Sequence, residues 1–132
     1  WDNHLYAVEA ESGRELWSYE TGGPVHSSPA VADGVVYVGS DNLRLYAVEV
    51  ENGRKLWSFR TGLQVQSSPA IADGVVYVGN NDNHLYAIEA ESGRELWSYE
   101  TGDDVRSSPA VVDGVVYVGS DDNHLYAIPS GD

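Results

Sequence analysis

The sequence predicts an all-β fold, a β-propeller of four-stranded blades with about three blade equivalents per chain. Three observations carry this expectation. The 132 residues include 14 Gly, 5 Pro, 9 Tyr and 4 Trp, a turn-rich and aromatic composition. The chain repeats itself: Trp17, Trp57 and Trp97 are 40 residues apart, as are Tyr6, Tyr46, Tyr86 and Tyr126. No stretch sustains helical periodicity, and a period near 40 filled with short strands and turns fits propeller blades better than most helical repeats.

The elements follow in order from the turn signals. The chain opens in the third strand of a blade, Leu5–Glu9, and continues into a fourth, Arg14–Thr21. The next blade begins with Ser27–Val31 and turns at Ala32-Asp33-Gly34, a dipeptide suited to positive φ. Val35–Ser40 is its second strand, apolar on consecutive residues and so covered on both faces. A polar Asp/Asn loop leads to Leu45–Val50, and Glu51-Asn52-Gly53 turns the chain into Lys55–Thr61. The pattern recurs until another third strand, Leu125–Ile128. This reading gives thirteen strands in one domain, 1–132: a split blade 1–22, blades 25–61 and 65–101, and a partial blade 105–129. Pro29, Pro69 and Pro109 cannot donate a ladder hydrogen bond, which places their strand at a sheet edge. The small polar pairs Ser27-Ser28, Ser67-Ser68 and Ser107-Ser108 suit a crowded, wet axis, so this strand is expected innermost. The tryptophan strand is then outermost.

Composition also excludes functions. Asp and Glu number 21 against 7 Lys and Arg, a formal charge of −14 that repels nucleic acid and anionic membranes. With no Cys there is no disulfide, thiolate metal site or Cys nucleophile. No apolar run can span a bilayer, and Trp1-Asp2-Asn3-His4 does not begin a signal peptide. Glu9, Glu11, Glu15 and Glu20 recur near the outer rim, which reads as a solubility device or as a surface for a basic protein.

The segment Ala7-x-Glu9-x-x-Ser12-Gly13-x-x-x-Trp17 recurs around Ala47, Gly53 and Trp57 and around Ala87, Gly93 and Trp97. It resembles the tryptophan-docking motif of the pyrroloquinoline-quinone-type (quinoprotein-like) propeller repeat, which is preceded by a similar Asp-Gly-Val-Val-Tyr-Val-Gly hairpin. The family often has Asp where Glu9, Glu49 and Glu89 stand. The resemblance implies that each Trp stacks on a peptide plane between adjacent blades, that the Gly shapes the turn, and that the motif is structural. It also implies a periplasmic or extracellular setting. Quinoprotein dehydrogenases of this family use eight blades, a quinone, a calcium ion, a catalytic Asp and often a Cys pair. Near-identical blades without Cys supply rings of like residues instead of unlike groups converging on one point. No enzyme activity and no cofactor are expected.

Two places are candidates for ligands. The loops Asp2-Asn3-His4, Asn81-Asp82-Asn83-His84 and Asp121-Asp122-Asn123-His124 offer alternating oxygens for Ca²⁺, with Asp82, Asn83, Asp122 and Asn123 as candidate ligands; Asx turns are the simpler reading. His26, Gln66 and Arg106 vary between otherwise conserved-looking copies. The radial order makes them ring one mouth of the central channel, either as a polar ligand funnel or as solvated loop positions.

Three blades do not close a ring, since propellers use about four to eight. The expected solution is a homodimer: two chains head to tail, sharing split blades in a six-bladed ring. The rival is a fragment of a larger propeller. Residues 4–9 and 124–128 then compete for one slot, and Pro129 stands where the other copies have Glu9, Glu49 and Glu89. Residues 1–40 and 81–120 differ at six positions, which points to recent amplification or deliberate construction. The expected function is a non-enzymatic, self-assembling scaffold or protein-interaction module. The alternatives are a ligand- or metal-binding propeller and a quinone-dependent dehydrogenase fragment.

Overall fold

The computed structural model describes residues 3–130. Thirteen strands occur among them: β1 (His4–Val8), β2 (Glu15–Glu20), β3 (Ala30–Ala32), β4 (Val35–Ser40), β5 (Arg44–Glu49), β6 (Lys55–Arg60), β7 (Ala70–Ala72), β8 (Val75–Gly79), β9 (His84–Glu89), β10 (Glu95–Glu100), β11 (Ala110–Val112), β12 (Val115–Ser120) and β13 (His124–Pro129). They form four antiparallel sheets of two, four, four and three strands, β1-β2, β3-β4-β5-β6, β7-β8-β9-β10 and β11-β12-β13.

The turn chemistry explains the hairpins. Asp33 (φ +52°) and Gly34 (φ +79°) both take positive φ, as a type I′ turn demands, and Asp73-Gly74 and Asp113-Gly114 repeat the pair. In the two complete blades the first strand feeds through this turn into a buried second strand; Val36, Tyr37 and Val38 are all buried, as an apolar run covered on both faces should be.

Several boundaries differ from the sequence expectation. The inner strands are only three residues long, and Pro29, Pro69 and Pro109 precede them. The serines before each Pro are engaged by side-chain bonds instead of a ladder: Ser27 Oγ accepts the Gly39 N–H at 3.0 Å and Ser67 Oγ the Gly79 N–H at 3.1 Å. Ser27 and Ser67 are therefore buried and bonded, not wetted. Third strands start one residue earlier than expected. β1 stops at Val8, whereas β5 and β9 run on to Glu49 and Glu89, because those residues pair with Val35 and Val75 of a second strand and β1 pairs with β2 alone. β13 extends to Pro129, which pairs with Val115.

The core lies in the seams between successive sheets. Leu5, Val36, Val38, Tyr46 and Val48 form one cluster, with Trp17 and Tyr19 against it. Tyr37, Leu45 and Ala47 face Val65, Val76, Val78 and Ile88 in the second. Tyr77, Leu85 and Ala87 face Val105, Val116, Val118 and Ile128 in the third.

Candidate functional site

Each seam is fixed at its outer end by a tryptophan. The Trp17 indole N–H donates to the Val50 carbonyl at 2.8 Å, Trp57 to Ala90 at 2.8 Å and Trp97 to Ser130 at 3.0 Å. The indole ring lies on the turn of the following blade. A methyl group on Gly53 would come within 2.6 Å of the Trp17 ring, and one on Gly93 within 2.6 Å of Trp57. Those glycines also sit at φ +76° and +79°, so both the turn and the close approach require them. Ala7, Ala47 and Ala87 are the register partners of Trp17, Trp57 and Trp97.

Near the first-strand edge two of the seams are tied by backbone amides bonded to serine hydroxyls. The Ser28 N–H donates to Ser68 Oγ at 2.7 Å and the Ser68 N–H to Ser108 Oγ at 3.0 Å. The first strands of neighbouring blades thus converge, while the tryptophan strands occupy the opposite sheet edges.

His26, Gln66 and Arg106 each meet a partner fifteen residues on. His26 Nε2 lies 3.1 Å from Asp41 Oδ2, the Asn81 amide donates to Gln66 Oε1 at 3.3 Å, and Arg106 Nε donates to Asp121 Oδ2 at 2.9 Å. The Asp121 hydrogen bond and charge hold the Arg106 guanidinium above its ordinary pKa. The sequence reading does not single out position 41/81/121 as a partner, although it is Asp opposite His26 and Arg106 and Asn opposite Gln66. Asp41 Oδ1 and Asn81 Oδ1 are buried without a hydrogen-bond donor.

The Asx loops are occupied by their own chain. Asp82 Oδ2 accepts from the Tyr86 hydroxyl and from the Gly62 N–H at 3.1 Å, and Oδ1 from the His84 N–H at 3.2 Å. Asp122 repeats the arrangement with Tyr126, Gly102 and His124. Asn83 and Asn123 take φ +72°, and the Asn83 carbonyl accepts the Thr101 N–H at 2.7 Å. Burial, reinforced by the Asp82 hydrogen bond, pushes the Tyr86 phenol far above its usual range. The Tyr126 hydroxyl lowers the Asp122 carboxyl, and Asp122 in turn raises Tyr126. Among the described residues, no group of three or more His, Cys, Asp or Glu is placed to hold a metal.

The end sheets expose apolar residues whose counterparts the internal seams bury. Leu45 and Leu85 are 0% exposed, whereas the matching Leu125 is 75% exposed. Tyr37 and Tyr77 are 2% exposed and Tyr117 is 39%. At the other end Tyr6, Val8 and Val31 are exposed, around a hollow of about 400 Å³ that also touches Pro29 and Val36. Residues that fill a seam in the middle of the chain face solvent at its two ends.

The likeness to known proteins follows this geometry. The PQQ_2 family model, described as outer membrane protein assembly factor BamB, matches residues 2–72 and 60–132. No curated protein sequence matches the chain significantly. Among solved structures, BamB from Moraxella catarrhalis superposes with a TM-score of 0.87 at 21% identity, covering 98% of this chain and 41% of that one. Quinohemoprotein alcohol dehydrogenase ADHIIG from Pseudomonas putida HK5 gives 0.85 at 21% identity, covering 96% of this chain and 30% of that one. The computationally designed Ika4 protein gives 0.88 at 16% identity, covering 98% and 81%. The chain spans less than half the length of the first two, and at these identities the structural likeness speaks for fold alone. Repeated four-stranded sheets, tryptophans seated on the next blade's turn and a family match along the whole described length lead to one conclusion: this chain belongs to the PQQ_2 family of PQQ-type β-propeller repeat proteins.

Proposed function

We propose that the chain is a non-enzymatic propeller scaffold that associates with a second copy of itself through its two end sheets. The observation that carries this reading is the exposure of Leu125 and Tyr117 at one end and of Tyr6 and Val8 at the other, at positions buried in the internal seams. Such contiguous apolar surface favours association. Because the repeat makes the two faces the complementary halves of an internal seam, head-to-tail contact is the economical way to cover both. The tryptophan contacts act as docking elements within each seam and do no chemistry.

The experiment is sedimentation of the full chain and of Tyr117→Glu, on the strand that stays in the interface, over a concentration series. The chain is expected as two subunits and the variant as one, both with the same far-ultraviolet circular dichroism. A variant that sediments like the parent contradicts the reading.

A second reading has one observation in its favour, the buried Asp41 Oδ1 and Asn81 Oδ1 beside His26 and Gln66, which would suit a small polar ligand or cation. Binding there must raise stability by mass action. A melting temperature that rises with Ca²⁺ and falls with a chelator supports it, and an unchanged one counts against it.

A further inference from the structure

We infer that when two copies join head to tail, the β1–β2 hairpin of the incoming chain enters whole, pairs with β12 of the receiving chain and expels β13. This rests on the scaffold reading above and specifies which strand fills the shared slot.

Two strands carry nearly the same information for that slot. His4–Ala7 and His124–Ala127 are identical, so β12 meets the same residues from either. They diverge at the end: Val8-Glu9 in one, Ile128-Pro129 in the other. That divergence falls on the bond that joins third and fourth strands. In the complete blades the Glu49 N–H donates to the Arg54 carbonyl at 2.8 Å and the Glu89 N–H to Arg94 at 2.8 Å. Glu9 makes the same bond to Arg14 within the N-terminal hairpin. Pro129 has no N–H, and its ring occupies the outer edge where the fourth strand must begin. A proline at this point blunts an edge strand against addition. If β13 stayed, the incoming Arg14 carbonyl would lose its donor and β2 would dock against a pyrrolidine ring. If the hairpin enters whole, every bond of an internal blade is kept.

The tryptophan seats agree. Trp17 and Trp57 lie on Gly53 and Gly93. Trp97 has only the Ser130 carbonyl of its own chain for its indole N–H, among the contacts described. Gly13, at φ +76° and ready to receive an indole, has nothing within 4 Å of where a side chain would start. The entering hairpin brings Gly13 of the partner subunit beneath Trp97 and offers the carbonyl of the partner's Ala10 in place of Ser130. Its spacing to Trp97 is then that of the internal seams.

Cysteine pairs test the assignment, since the chain has none. Tyr117 is the register partner of Ala127 within β12–β13, and Ala7 is the equivalent residue of β1. In the assembled chain, Tyr117→Cys with Ala7→Cys should oxidise to interchain disulfides that survive a non-reducing gel. Tyr117→Cys with Ala127→Cys should oxidise at least tenfold more slowly. The reverse order overturns the inference. Deleting residues 124–132 gives a second readout that needs no cysteine: association should be unchanged or tighter, and a tenfold or greater weakening overturns it. An unmodified chain that remains a single subunit at about 10 µM overturns the scaffold reading itself. An assembled chain whose cross-links follow β13 overturns this inference alone.

Discussion

The internal seams and the end sheets are built from the same residues and differ in what lies against them. Leu85 is sealed between two blades, while Leu125, forty residues on in the same local sequence, stands in solvent. Gly79 is covered by Val105, whereas Gly119 has only Ser107 nearby. The contrast teaches that a strand's sequence here encodes a seam, and that a seam needs a neighbouring blade before its apolar residues contribute.

The largest test of that contrast is the leucine pair. Leu85→Ala should destabilise by about 2–5 kcal/mol in denaturant unfolding, because it leaves a cavity in a closed seam. Leu125→Ala should change the unfolding of dilute, dissociated chain by less than about 0.5 kcal/mol, as an exposed substitution does, and should not weaken association, since β13 leaves the shared slot. Equal effects on unfolding would break the comparison.

Next come the glycines at the inner ends of the second strands. A methyl on Gly79 would lie 2.3 Å from Val105 Cγ1, but the nearest atom to one on Gly119 is Ser107 Oγ at 3.5 Å. Gly79→Ala should therefore cost about 1–3 kcal/mol by overpacking. Gly119→Ala should be near neutral for the dissociated chain and harmful to assembly, where Val25 of the partner subunit takes the position of Val105. Melting curves above and below the association midpoint separate the two effects.

The turn glycines sharpen the comparison further. In dilute, dissociated chain Gly13→Ala faces only the positive φ, worth about 1–2 kcal/mol, whereas Gly93→Ala adds the collision with Trp57. The difference between the two, read by chemical denaturation, measures the indole seat.

The smallest effects are those of pH. The Tyr86 phenol is raised in the folded chain, so its contribution is fully present below the unfolded value of 10.0 and is lost as pH rises beyond it. Tyr86→Phe should flatten the alkaline fall in melting temperature. Asp122 is lowered, so its contribution is present above 3.8 and lost as pH falls through the folded value; Asp122→Asn should remove part of the acid limb.

Much of the fold was legible because turns and burial are local and periodic. The Asp-Gly turns mark the first hairpin of each blade, and the continuous apolar runs mark strands covered on both faces. The inner strands were misjudged because Ser27 and Ser67 spend their hydroxyls on the Gly39 and Gly79 amides, a long-range bond that no local pattern announces. The candidate site was less legible. His26, Gln66 and Arg106 were singled out by their variation, but their partners Asp41, Asn81 and Asp121 come from the far side of a hairpin. In the Asx loops the turn is the simpler reading of the sequence, and the hydroxyls of Tyr86 and Tyr126, which take up the Asp82 and Asp122 carboxylates, are what the local pattern does not announce.

The central claim, that a second copy covers the end sheets, is tested most directly by the solution mass of the chain from light scattering at about 10 µM. The account predicts twice the 14.3 kDa of one chain. A mass of 14.3 kDa, unchanged on further concentration, would contradict it.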